Sequence, residues 1–152
     1  MEYEQKLAWL RRYLACQKIE EELIFELEQA RSQAERVTPL LSGTPGAGGQ
    51  GQLVPCAVER IAAIESELVD ASQNALQVRQ EIVSIMDTIS DACQREILRR
   101  RYLVGQKWDD IAADMHIDVR WATKLHRKCV EDLRLEEAHK SPGKPKQKYG
   151  NL

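Results

Sequence analysis

Cationic side chains are concentrated on one side of a short segment between residues 118 and 133. Arg120, Lys124 and Arg127 fall within roughly 60° of one another on a helical wheel at 100° per residue. Guanidinium and ammonium groups donate hydrogen bonds to phosphate oxygens, and arginine also binds the edge of guanine through two parallel hydrogen bonds. The spacing therefore predicts a surface that binds phosphates, base edges or both.

The segment around these cations has the pattern of two short helices joined by a tight turn. Apolar residues of the first helix follow an i, i+3, i+4, i+7 spacing: Trp108, Ile111, Ala112 and Met115. His116 and Ile117 turn the chain, and Asp118 can cap the second helix. The positions of the second helix that face inward are Ala122, Leu125, Cys129 and Leu133. In a helix-turn-helix of this layout, the second helix (about 118–133) enters the DNA major groove as the recognition helix.

The predicted DNA contacts lie on the outer side of this recognition helix: Val119, Arg120, Trp121, Thr123, Lys124, Arg127 and Lys128. Arg120 and Lys124 are the strongest candidates for guanine edges or phosphates. Trp121 lies on the flank, where covering the edge of the core is slightly favoured over touching a base or sugar. The alternative is an ordinary solvated basic face, and the carboxylates of the first helix favour it: Asp109, Asp110 and Asp114.

Two long helices are predicted before this region. Residues 2–37 contain neither glycine nor proline, whereas residues 38–56 are rich in both and predict a flexible loop. Beyond the loop, apolar residues recur in alternating steps of four and three: Ala57, Ile61, Ile64, Leu68, Ala71, Ala75, Val78, Ile82, Ile85 and Ile89. This heptad stripe needs a partner. An antiparallel hairpin with residues 2–37 is the simplest one, and parallel self-association of the second helix stays open.

These elements predict an all-α chain of three parts. Residues 1–90 form the helical hairpin, which serves association or partner binding. Residues 91–135 form the helix-turn-helix domain, starting with a helix for which Ser90 and Asp91 offer an N-cap and which Gly105 ends. Residues 136–152 combine Pro and Gly with Lys140, Lys144, Lys146 and Lys148, which is typical of a disordered basic tail.

Charge separates these parts, while catalytic and metal-binding signatures are missing from the sequence. Residues 1–90 contain 8 Lys and Arg against 14 Asp and Glu, and residues 91–152 contain 14 against 10. The balance changes from −6 to +4, so the basic end is the candidate for nucleic acid.

The four cysteines are widely spaced, and the glycines of GAGGQGQ (46–52) lack the Lys and Ser/Thr of a phosphate loop. We therefore expect neither an enzyme nor a cofactor or metal site. Without a signal peptide or a long apolar stretch, we also expect a cytoplasmic chain and no membrane contact.

A family resemblance adds to this interpretation. The segment QREILRRRYLVGQKWDDIAADMHIDVRWATKLHRKCVEDLR resembles the DNA-binding region of bacterial sigma factors that reads the −35 promoter element. Over residues 1 to about 135, the chain resembles small phage and prophage transcriptional regulators of Gram-positive bacteria, related to the RinA and ArpU activators. The residues that carry the resemblance are Ser42-Gly43-Thr44-Pro45-Gly46 in the loop, Trp108-Asp109-Asp110-Ile111-Ala112 in the first helix and Leu125-His126 in the recognition helix.

The chain departs from such motifs at two positions. Lys107 replaces the usual Ser or Thr, so the first helix loses its expected side-chain cap. His116 replaces a glycine that is common in the turn, and histidine tolerates a left-handed conformation better than most residues do.

The resemblance implies a sequence-specific regulator of phage or prophage genes that acts in the bacterial cytoplasm. Its partners would be double-stranded DNA, host RNA polymerase and, through the long helices, a second copy of the chain. Two rival functions stay open: a phage small terminase subunit that binds packaging-site DNA, and a structural coiled-coil adaptor. A terminase assembles as a large ring, and an adaptor does not bind DNA.

Overall fold

The computed structural model describes residues 1–41 and 53–135, and every regular element in these two ranges is a helix. The all-α prediction is therefore confirmed for the described residues. In chain order the helices are α1 (Tyr3–Leu10), α2 (Arg12–Leu41), α3 (Leu53–Met86), α4 (Ala92–Arg99), α5 (Trp108–Met115) and α6 (Val119–Asp132). A π-helical turn, Arg100–Val104, continues directly from α4.

Helix boundaries differ from the predicted ones at both ends of the first long segment. The predicted helix over residues 2–37 is interrupted at Arg11, and α2 continues to Leu41 through Pro39. The predicted loop 38–56 is too long, because α3 begins at Leu53 with Pro55 in its first turn. Proline is tolerated there because the first amides of a helix have no intrahelical acceptor. Residues 42–52 and the predicted tail, 136–152, lie outside the described residues.

The chain divides into two compact units whose boundary differs from the predicted one at residue 90. One unit, called here the long-helix unit, is Leu10–Gln80. The other, called the terminal unit, combines Met1–Trp9 with the chain from Glu81 onward. Helix α1 therefore belongs with α4, α5 and α6, and the break at Arg11 falls close to this change of unit. A pattern of apolar residues cannot show such a change, because Leu7 and Leu10 of α1 and Leu14 of α2 form one seam in the sequence.

In the long-helix unit, α2 and α3 pack side by side in opposite directions. Leu27, Ala30 and Ile64 form a buried cluster, with Ile61 and Leu68 packed against it. Polar contacts follow the same antiparallel register: Cys16 with Asn74, Glu20 with Ser72, and Arg31 with Glu65. All ten residues of the predicted heptad stripe are buried or half-buried. The stripe was therefore correctly recognised as a packing surface.

In the terminal unit, apolar residues from different helices form the core that supports α6. The large side chains that are almost completely buried are Ile82, Ile97, Leu98, Ile111, Val130 and Leu135. As predicted, the Asp91 carboxylate accepts a hydrogen bond from the Gln94 amide at 3.0 Å and caps α4. Gly105 follows the π-helical turn with φ of 84°, the left-handed geometry expected of a glycine that ends a helix.

The turn between α5 and α6 depends on a left-handed residue that is not glycine. His116 has φ of 55° and ψ of 42°, and its backbone N–H donates to the carbonyls of Ala112 and Ala113. His116 therefore adopts the left-handed conformation that histidine was predicted to tolerate at this position. Lys107 occupies the N-cap position of α5 without a side-chain cap, as expected.

Replacing His116 by glycine should stabilise the terminal unit. A left-handed conformation costs an L-residue about 1–2 kcal/mol, and glycine avoids this at an entropic cost of roughly 0.5–1 kcal/mol. We expect His116→Gly to raise the melting temperature slightly and His116→Val to lower it, because a branched Cβ fits this region worst. The side chain is exposed, so little packing is lost. A lower melting temperature for His116→Gly than for the native chain would contradict the expectation.

Candidate nucleic-acid interface

Helix α6 separates its residues sharply into an inner and an outer side. Ala122, His126, Cys129 and Val130 are buried. Arg120, Trp121, Lys124, Arg127 and Lys128 are exposed. The remaining predicted contacts, Val119 and Thr123, are half-buried. The inward positions Ala122, Cys129 and Leu133 are buried as predicted, and Leu125 is half-buried.

The beginning of α6 differs in detail from the prediction. Asp118 occupies the N-cap position with extended backbone angles, but its side chain makes no capping hydrogen bond. Asp118 is exposed, so water can solvate its carboxylate in place of the amides of the first turn of α6. The Thr123 hydroxyl lies 3.1 Å from the Val119 carbonyl and 3.0 Å from that of Arg120. Its proton is therefore used within the helix, and Thr123 can offer an external ligand only its lone pairs.

Trp121 and Lys124 lie together on the outer side of α6. Trp121 remains 50% exposed, so it does not act mainly as a cover for the core, which sequence reasoning slightly favoured. The Lys124 ammonium lies over its indole ring, 5.9 Å from the ring centroid. An exposed aromatic ring beside a cation can stack on a sugar or base while the cation binds phosphate.

Arg127 contacts other residues of the terminal unit, although the helical wheel shows only that it lies on the outer side of α6. Its Nε donates to Glu131 at 3.0 Å, and its guanidinium lies 5.5 Å from the centre of the Tyr3 ring. The hydrogen bond with Glu131, the charge of Glu131 and the charge of Tyr3 raise the pKa of Arg127 above its ordinary value. The side chain is still 71% exposed, and exposed ion pairs are weak. Four further N–H groups of the guanidinium can still bind a phosphate, which would compete with the Glu131 carboxylate for the charge of Arg127.

Sequence reasoning missed the contribution of α1 to this surface. The Lys6 ammonium donates to the Glu131 carbonyl at 2.6 Å, near the C-terminal end of α6, where a cation is favoured by the helix dipole. Lys6 and Tyr3 are more than 120 residues from their partners in sequence. No local pattern could have indicated these contacts, although the apolar character of Leu7 showed that α1 needed a packing surface.

An aromatic cluster packs against the buried side of α6. The Tyr102 hydroxyl lies 2.6 Å from His126 Nε2, and the Trp108 ring meets the imidazole edge-on at 4.8 Å between centroids. Arg101 in turn lies over Trp108 at 4.9 Å. His126 was predicted to border the buried face and is 6% exposed, so its role is packing. The cluster ties the π-helical turn and α5 to the middle of α6.

Arg100 and Gln106 bind the carboxylate of Asp114 on α5. Arg100 binds Glu96 at 2.8 Å and Asp114 at 3.0 Å, and Gln106 also donates to Asp114 at 3.0 Å. Asp114 was counted against a phosphate-binding surface. Asp114 shares the single charge of Arg100 with Glu96, so its own charge is only partly neutralised, and Asp109 and Asp110 are exposed near the start of α5.

Cys129 lies on the inner side of α6 and is chemically protected. Burial, and secondarily the charges of Asp132 and Asp91, raises the pKa of its thiol from 9.0 to about 11. The folded state therefore holds this proton more tightly than the unfolded state does. The resulting stabilisation is present below pH 9 and is lost as the pH rises toward 11.

Thiol alkylation should distinguish Cys129 from the exposed Cys56. At pH 8.5 we expect iodoacetamide to modify Cys56 readily in the native protein, because this side chain is exposed. Only the thiolate form of a cysteine reacts with the reagent. Cys129 should react only after denaturant is added or as the pH approaches 11. Mass spectrometry of digested samples over a pH series measures both rates. Equal native rates at pH 8.5 would contradict the protected position of Cys129.

Metal-binding clusters and membrane-spanning helices are both absent from the described residues. Within residues 1–41 and 53–135, no group of three or more His, Cys, Asp and Glu side chains could hold a metal ion. None of the helices in this part of the chain is sufficiently long and apolar to cross a membrane.

Comparisons with protein families, with characterised proteins and with solved structures find no match for this chain. The function must therefore be argued from the geometry of this surface.

Proposed function

We propose that this chain is a sequence-specific transcriptional regulator that binds double-stranded DNA through α6. In this proposal, α2 and α3 form a helical hairpin, and α5 and α6 form a helix-turn-helix of the sigma-factor type. The regulated genes are those of a phage or prophage, and the protein acts in the bacterial cytoplasm without catalysing a reaction.

One observation carries the proposal: the exposed side of α6 presents cations beside an exposed indole. Arg120, Lys124, Lys128 and Trp121 are exposed there, while the opposite side of the helix is buried. A short turn and a short helix precede α6, as in helix-turn-helix proteins, in which the second helix contacts base edges. Arg120 stands in the first turn of α6, and residues at this end of a recognition helix reach deepest into the groove.

Charge supports the assignment of roles. Phosphate contacts provide most non-specific affinity, and residues 91–152 carry a balance of only +4. A single copy should therefore bind DNA weakly and need a second contact, either host RNA polymerase or another copy of the chain. The acidic long helices are the natural place for this second contact.

The test is selection of DNA by the purified full-length protein from a randomised library, followed by titration of the enriched sequence. We expect one enriched motif and an affinity that falls linearly with the logarithm of salt concentration. A genome-wide occupancy map, with and without polymerase inhibition, then shows whether polymerase takes part. Absence of any enriched motif, together with no binding to bulk DNA, would favour a structural adaptor instead.

A further inference from the structure

The heptad stripe of α3 is not the surface that is free for association. Ile61, Ile64 and Leu68 pack against Leu27 and Ala30 of the same chain. A second copy that used this stripe would have to displace α2. Any stable association through α3 must therefore use a different side of the helix.

Helix α3 has a second apolar side that the described residues of the long-helix unit leave exposed. Val58, Val69 and Leu76 are 60%, 55% and 57% exposed. On a helical wheel they fall within roughly 20° of one another, about 110° away from the stripe that packs on α2. Ala62, Gln73 and Gln80 lie on the same side and are also exposed. We call these six residues the second face of α3.

The second face is nearly free of charge, whereas the adjoining side of the helix carries three carboxylates. Between residues 58 and 80, all of them described, Glu65 is the one charged residue on this side, and Arg31 neutralises it at 3.0 Å. The opposite flank carries exposed carboxylates: Glu59, Glu67 and Asp70. Two copies of such an acidic unit would repel each other through most orientations. The second face is the side on which repulsion is smallest.

We propose that the second face of α3 binds the second face of another copy of this chain around a two-fold axis near Gln73. A two-fold interface must be complementary to itself, which aliphatic and amide side chains are and like charges are not. Because residue 73 is nearly midway between 69 and 76, the axis places Val69 opposite Leu76 of the second copy. Gln73 meets its own counterpart, and its amide can both donate and accept.

The size of the face indicates a weak association. Three half-exposed aliphatic side chains and the neighbouring Ala62 give less apolar area than the roughly 800 Å² that each partner buries in a stable interface, so we expect a reversible dimer. The exposed aliphatic residues span 18 positions, or about 27 Å of helix at 1.5 Å per residue, so the contact is elongated. This inference deepens the proposed function and rests on it for its purpose, because pairing presents two recognition helices to DNA.

Sedimentation equilibrium of the full-length protein without DNA tests the interface directly. We expect a reversible dimer, and we expect Val69→Asp/Leu76→Asp to weaken its dissociation constant by at least about 100-fold, since four carboxylates would meet in one interface. Phe25→Asp is the matched control, because Phe25 is 61% exposed on the other long helix. It should change the dissociation constant by less than about threefold. Circular dichroism checks that each variant keeps its helices.

A crosslink provides a second measurement that does not depend on destabilising charges. In a protein that carries Cys56→Ser, Gln73→Cys should form an intermolecular disulfide under mild oxidation, since a residue near the axis lies close to its own copy. Asp70→Cys, on the acidic flank, is the control and should remain monomeric on a non-reducing gel.

The proposal is overturned by a native monomer at about 100 µM, by a dimer that survives Val69→Asp/Leu76→Asp, or by equal crosslinking at positions 70 and 73. A ring of many copies would also overturn it and would favour the terminase function. DNA titration of the same samples separates the two proposals: a monomer that binds DNA contradicts only this interface, and a dimer that binds no DNA contradicts only the proposed function.

Discussion

The double variant Arg120→Ala/Lys124→Ala is expected to lose at least two orders of magnitude in affinity for its selected DNA sequence. Each good side-chain contact to a base edge contributes about 1–3 kcal/mol, and a lost phosphate contact also reduces the slope of log K against log salt by about 0.9. Both residues are exposed, so helicity and melting temperature should remain close to those of the native chain. The measurement is a fluorescence titration at several salt concentrations.

The control must separate the position of the charges from their number. Lys18→Ala/Arg60→Ala removes the same two charges from exposed positions of the long-helix unit. We expect it to change DNA affinity by less than about threefold, because neither residue belongs to α6 or to the terminal unit. If both double variants weaken binding equally, α6 is not the recognition helix. Arg127→Ala should have an intermediate effect, because Arg127 already binds Glu131 and contacts Tyr3.

The largest expected effect on stability is that of Ile111→Ala. Ile111 is completely buried in α5, where its side chain forms part of the core of the terminal unit. Replacing a buried isoleucine by alanine typically costs 2–5 kcal/mol, roughly a third of the unfolding free energy of a small domain. We expect a lower denaturant midpoint for the terminal unit and a loss of DNA binding that follows the unfolded fraction.

Val104→Ala is the corresponding control in the same unit. Val104 is 61% exposed, and substitutions at exposed positions usually change stability by less than about 0.5 kcal/mol. Chemical denaturation followed by circular dichroism measures both variants. The result that would contradict this expectation is an equal shift of the denaturant midpoint in Ile111→Ala and Val104→Ala. It would mean that the apolar face of α5 does not hold the helix in the unit.

The sequence by itself determined that the described chain is helical and which sides of its helices are buried, although not where each helix begins and ends. Helical periodicity is a local property, because a buried stripe must repeat every three or four residues whatever it packs against. The heptad stripe of α3, the inner side of α6, the Asp91 cap and the left-handed positions at Gly105 and His116 were therefore recognisable without coordinates. Each depends on neighbours within one or two turns.

Tertiary structure alone decided the partners of these surfaces. Apolar periodicity shows that Leu7 and Trp9 need a packing surface, but it cannot show that α1 belongs to the terminal unit while α2 does not. The helical wheel placed Arg120 and Arg127 on the same outer side, and only the structure shows that Tyr3, 124 positions away in sequence, approaches Arg127. In the same way, the pairing of α2 with α3 covers one apolar side of α3 and leaves Val58, Val69 and Leu76 exposed. Hydrophobic burial is non-directional, so a sequence specifies that a surface must be covered, and chain topology decides what covers it.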